Sequence, residues 1–159
     1  MLTPFGDDDR IDFRLLANEA RFLKQSGVTG MVVGGSMGEG AGLSEQEIAE
    51  AVRVVIEAVD GTLPVLAGLI ADSSAEAVRL AKAARQAGAC GLQVPPPHFR
   101  PTADTPILAE YYRSITDGAE LLWTSKPCPR IGGAYVVRSN VKTNPRTTAM
   151  VLLELKQLL

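Results

Sequence analysis

The sequence predicts an α/β fold built on a parallel sheet, and three observations carry that expectation. Short apolar runs begin near Val28, Leu63 and Cys90, each lacking the polar alternation of a half-exposed strand. Amphipathic stretches at helical spacing separate them, so strand and helix alternate at roughly 30 residues per unit. Each apolar run then enters a turn or loop rich in glycine or proline. Right-handed crossovers leave two architectures open, a (β/α)8 barrel or a doubly wound sheet.

Ahead of the first strand, Phe13, Leu16, Ala17, Ala20 and Leu23 recur at helical spacing, with Asp12 as cap and Gly27 as stop. Val28 to Val33 reads as a strand covered on both faces, leading into Gly34-Gly35-Ser36-Met37-Gly38-Glu39-Gly40. Ser44-Glu45-Gln46-Glu47 offers a capping box to a helix through Ile48, Ala51, Val52, Val55 and Ile56, ending near Asp60-Gly61. Leu63 to Gly68 is the next strand. Ser73 or Ser74 caps a helix through Ala75, Val78, Ala81 and Ala84, closed by Ala87-Gly88. Cys90 to Val94 is the third strand and runs into Pro95-Pro96-Pro97-His98-Phe99-Arg100-Pro101, before a helix over about Thr105 to Asp117. Cys90 itself is expected to be a small buried hydrophobe.

Beyond Glu120 the alternation fails. Leu121 to Thr124 starts a fourth strand, but Lys126-Pro127-Cys128-Pro129-Arg130 breaks it, because proline cannot donate to a central ladder. Ala134 to Val137 reads as a short strand and Thr147 to Leu159 as a final helix. Composition changes at the same place. Residues 1–120 hold 10 Lys and Arg against 17 Asp and Glu, a balance of −7, whereas residues 121–159 hold 6 against 1, a balance of +5. Two segments are therefore expected: 1–120 as one α/β unit and 121–159 as a divergent basic tail.

The tail's dispersed charges lack interleaved aromatics, which argues against a nucleic-acid partner. No apolar run approaches the roughly 20 residues of a membrane span, and the first residues lack the blocks of a signal peptide. A soluble cytoplasmic protein is the expectation. Cys90 and Cys128 show neither zinc-site spacing nor the density of a disulfide scaffold. The single histidine, His98, has no second imidazole with which to build a metal cluster. No metal and no cofactor are expected.

In a parallel α/β fold the loops after the strand C-termini share one rim, so the Gly34–Gly40 turn faces the Pro95–Pro101 segment. Glycines let backbone approach a ligand, and Ser36 with exposed amides can hold a carboxylate or phosphate. The same glycines also serve a turn that is merely tight. The turn is no P-loop, since Lys and Ser/Thr do not follow its last glycine. Glu39 is expected to hold neighbouring loops by accepting backbone N–H bonds, and His98 to pack on the rim.

Thr3-Pro4-Phe5, Val33 to Glu39, Leu43-Ser44, Pro64 to Gly68 and Val94 to Pro97 follow one another in an order that resembles the dihydrodipicolinate synthase and N-acetylneuraminate lyase family. The resemblance spans residues 3 to about 118 and includes that family's GxxGE turn as Gly35-Ser36-Met37-Gly38-Glu39. It implies a partial (β/α)8 TIM barrel of about the first four to five β/α units, with an irregular C-terminal tail. By the same resemblance, Gly35, Ser36, Met37 and Gly38 bind the carboxylate of a small 2-oxo acid such as pyruvate, with Met37 contributing backbone only. Glu39, Pro96, His98 and Phe99 would form the rim.

The implied activity is a class I aldolase or lyase that makes or cleaves a C–C bond through a lysine Schiff base, in a homo-oligomer. Two parts of the pattern are missing. Ser125 stands at the register of the family's catalytic tyrosine, and Lys126, Lys142 and Lys156 lack the glycine-flanked, apolar setting of the imine-forming lysine. No catalytic residue is therefore assigned, and the chain is expected to be inactive alone. Its alternative role is a non-catalytic piece that binds small carboxylates or associates with a full-length homologue. A truncated gene model or shifted reading frame accounts for both the compositional change and the loss of match. Open strand edges then predict self-association.

Overall fold

Asp12 starts the first helix: its carboxylate accepts from the Leu15 amide at 2.9 Å, and α1 runs Phe13–Gln25. The computed structural model describes residues 1–97, 105–119, 123–124 and 136–137. After α1 come β1 (Met31–Val33), α2 (Glu45–Ala58), β2 (Val65–Gly68), α3 (Ser74–Gln86), β3 (Gly91–Gln93), α4 (Thr105–Ala119), β4 (Trp123–Thr124) and β5 (Val136–Val137). Ser44 and Glu47 form the reciprocal capping box of α2, and Ser73, rather than Ser74, caps α3.

The sheet order is β1-β2-β3-β4-β5, with the first four strands parallel. Neighbouring strands are consecutive in sequence, and so are neighbouring helices: α1 packs on α2, α2 on α3 and α3 on α4. A doubly wound sheet reverses its strand order midway and puts helices on both faces. Here the order never reverses and the helices pack side by side, which is an arc of a (β/α)8 barrel. The final pairing departs from this plan, because β5 runs antiparallel to β4. The expected helix over Thr147 to Leu159 lies outside the described residues.

Each strand begins later than its apolar run. Gly27, at φ +83°, turns the chain out of α1, and the Val28 amide donates to the Leu23 carbonyl. Val28 therefore belongs to the helix exit. Pro64 has no N–H for the ladder but its carbonyl accepts from Met31, so β2 starts at Val65. Cys90 stands one residue ahead of β3 and is exposed, which corrects its expected burial. Local desolvation nonetheless pushes its thiol pKa up.

Met31, Val33, Val65, Ala67, Leu92 and Val94 are buried on the helix side, whereas Val32, Leu66 and Gln93 are half-buried on the other. The expectation of burial on both faces thus holds only for the helix side. Four parallel strands make an arc, and among the described residues nothing closes over its concave face. The core between sheet and helices includes Leu16, Ile48, Val52, Val55 and Ile115, each at most 2% exposed. Each such side chain contributes roughly 1.5–3 kcal/mol through burial.

Candidate functional site

The glycines after β1 build one tight structure rather than a loose loop. Gly34 has φ +70°, and a Cβ there would meet Ile48 Cδ1 at 2.3 Å. A Cβ on Gly40 would lie 1.7 Å from the Gly34 carbonyl oxygen, so neither position admits a side chain. Between them, Ser36–Gly38 form a 3₁₀ turn in which the Gly38 amide donates to the Gly35 carbonyl at 2.9 Å. The Ser36 and Met37 N–H groups precede that first bond and have no partner within the turn.

The N-terminal segment braces this turn from the side. Thr3 is buried, and its hydroxyl donates to the Gly38 carbonyl at 2.7 Å. The Met1 nitrogen donates to the Val32 carbonyl at 3.1 Å, along the free edge of β1. Two tyrosines of α4 fix the loops on the far side. Tyr111 donates to the Ala71 carbonyl at 3.1 Å and Tyr112 to the Val94 carbonyl at 3.4 Å.

A cleft of about 390 Å³ opens between these parts, lined by Val32, Gly35–Gly38, Ile70, Gln93 and Pro95 together with Met1. It therefore unites Gly35, Ser36, Met37 and Gly38, the four residues expected to hold a carboxylate. Met37 is 74% exposed, and its amide follows that of Ser36 in the 3₁₀ turn. Glu39 takes the left-handed conformation, φ 55° and ψ 31°, and its exposed carboxylate accepts no hydrogen bond from a described residue. What Glu39 contributes is the backbone reversal between two 3₁₀ turns.

Pro96 is buried, and Pro95 is the proline that borders the cleft. His98 and Phe99 lie outside the described residues, as do Ser125, Lys126, Lys142 and Lys156. Of the described lysines, Lys24 bonds the Val59 carbonyl and Asp60 at the end of α1, and Lys82 is exposed on α3. Neither borders the cleft. Gln93 was not singled out from sequence. The available signal was one polar residue in the apolar run Cys90 to Val94.

The dihydrodipicolinate synthetase family model matches residues 1–123. The chain belongs to that family. Among curated members, the 4-hydroxy-tetrahydrodipicolinate synthase of Natronomonas pharaonis is 37% identical over 121 residues, covering 76% of this chain and 40% of its own length. Two solved structures of family relatives superpose on the arc. A prophage protein of the dihydrodipicolinic acid synthase family from E. coli, in complex with pyruvate, is 30% identical with a TM-score of 0.71, over 77% of this chain and 41% of that one. The N-acetylneuraminate lyase of Proteus mirabilis is 27% identical with a TM-score of 0.73, over 79% and 43%. The chain thus spans about two fifths of the length of the curated family members it matches. Among the described residues no helix is long and apolar enough to cross a membrane.

Proposed function

We propose that this chain supplies the carboxylate-binding part of a pyruvate-dependent class I aldolase or lyase site. The observation that carries the reading is the gathering of Gly35, Ser36, Met37 and Gly38 on one wall of the cleft. The Ser36 hydroxyl and the Ser36 and Met37 amides would donate to the two carboxylate oxygens of a 2-oxo acid. The pyruvate complex of the E. coli family relative supports the same class of ligand.

In the full-length family a neutral lysine amine adds to the keto carbon and water leaves. The resulting imine stabilises the carbanion formed as a C–C bond is made or broken. Among the described residues neither Lys24 nor Lys82 borders the cleft, and Lys126, Lys142 and Lys156 lack the glycine-flanked, apolar sequence setting of an imine-forming lysine, so the reading is binding without turnover by this chain alone. The half-exposed Val32 and Leu66 on the concave face further support self-association, or pairing with a full-length homologue. The site calls for no metal or cofactor, and a cytoplasmic location fits a metabolic 2-oxo acid.

Titration of the isotope-labelled chain with pyruvate, followed by NMR, tests this. The Ser36, Met37 and Gly38 amides should shift together, and Ser36→Ala should weaken binding by about tenfold, the loss of one hydrogen bond to a charged group. Shifts scattered away from the turn, or none, would overturn the reading.

A further inference from the structure

We infer that Gln93 is a specificity-determining residue of this cleft, one that hydrogen-bonds the oxygen substituent beside the carboxylate of the bound acid. The inference rests on the reading of the cleft as a 2-oxo-acid site. Strand geometry places the side chain first. Successive residues of β3 face opposite sides of the sheet, and Leu92 and Val94 are fully buried toward the helices. Gln93 therefore projects from the concave face, where it is half-buried and lines the cleft.

Its backbone is held, since the Gln93 carbonyl accepts from the Leu69 amide at 2.9 Å. Its amide reaches the first residue of the turn: a Cβ built on Gly35 would lie 3.4 Å from Gln93 Oε1. Of the described residues lining the cleft, only Ser36 and Gln93 carry polar side chains. The Gln93 side chain makes no hydrogen bond to a described residue, and a half-buried amide without a partner is costly unless a ligand or water satisfies it.

The two polar groups divide the ligand between them. Ser36 and the turn amides take the carboxylate, and the next carbon then lies over the concave face on the Gln93 side. A primary amide offers both N–H donors and a carbonyl acceptor, so it can donate to a keto oxygen. An unsubstituted acid leaves the amide unpaired, and sites built to bond a polar group discriminate strongly against ligands that lack it.

The test uses the full chain with ¹⁵N-labelled glutamine side chains and two probes, pyruvate and propionate, which differ at the 2-oxo group. Pyruvate should shift the Gln93 side-chain NH₂ signals along the same saturation curve as the Ser36 and Met37 amides, and propionate should move the turn amides alone. Gln93→Met, similar in length, should reduce the preference for pyruvate over propionate by about tenfold while leaving propionate affinity within about twofold. Should that variant fail to fold, the wild-type NH₂ signals decide. Turn amides responding equally to both acids, with Gln93 silent, would overturn the inference and leave the carboxylate site standing. A turn that responds to neither acid would overturn both.

Discussion

Gly35 rests on Gly68 so closely that a Cβ built on Gly68 would lie 2.5 Å from both the amide nitrogen and the α-carbon of Gly35. The end of β2 and the turn after β1 are therefore in direct backbone contact, with no room for a side chain between them. This contact sets the height of the turn over the sheet, and so the wall on which Ser36 is carried.

Gly68→Ala should consequently act on stability and site together. The obstructing atoms are backbone, which cannot rotate aside, so a cost of roughly 2 kcal/mol or more is expected in urea unfolding. Pyruvate-induced shifts at Ser36 and Met37 should fall in parallel. An unchanged unfolding midpoint would show that the two strands separate freely and that the turn is not held from below.

Thr3→Val keeps the shape of a buried side chain and removes its hydroxyl. The Gly38 carbonyl then loses its 2.7 Å bond in a buried place, at a cost of about 1–3 kcal/mol. Hydrogen exchange at the amides of residues 36–38 should quicken more than exchange in α2. Uniform quickening through the chain would mean that Thr3 supports the fold as a whole and not the turn.

Alkaline pH should find Tyr111. Burial above all, then the neighbouring Tyr112, Asp72 and Glu76, push its phenol well above the ordinary value of 10.0. The folded chain thus keeps a proton that the unfolded chain releases. The stability contributed by neutral Tyr111 is complete below the ordinary phenol pKa and declines as pH climbs toward the raised one. Tyr111→Phe should flatten the fall in urea midpoint above about pH 10. An identical alkaline slope in both proteins would contradict this.

Much of this architecture was legible because it is local. Asp12 and the Ser44–Glu47 box act on amides within three residues, so sequence spacing locates them, and it narrows the α3 cap to Ser73 or Ser74, of which the structure uses Ser73. The Gly34–Gly40 glycines left a ligand cradle and a merely tight turn as open alternatives in sequence, because the contacts that make the turn tight include the distant Ile48 and Gly68. Strand starts were not legible, since they depend on how a helix exit or a proline meets a neighbouring strand, as at Val28 and Pro64. Gly118 shows the same limit. It lies inside α4, beyond the expected end at Asp117, and a Cβ there would strike Val78 of α3 at 2.6 Å. A glycine that permits close helix packing looks, in sequence, like one that ends a helix. Gln93 was missed because its meaning depends on which face of β3 the helices cover, and the alternation of one short strand cannot say which.

The central claim is that the chain carries the carboxylate wall of a pyruvate site without an imine-forming lysine opposite it. Incubation with pyruvate and borohydride, followed by peptide mapping, tests this most directly, because reduction makes any lysine imine permanent. The account predicts that every lysine-containing peptide keeps its unmodified mass at pyruvate concentrations that saturate the Ser36 and Met37 amide shifts. A reduced pyruvyl adduct on any lysine, Lys126, Lys142 and Lys156 included, would contradict it.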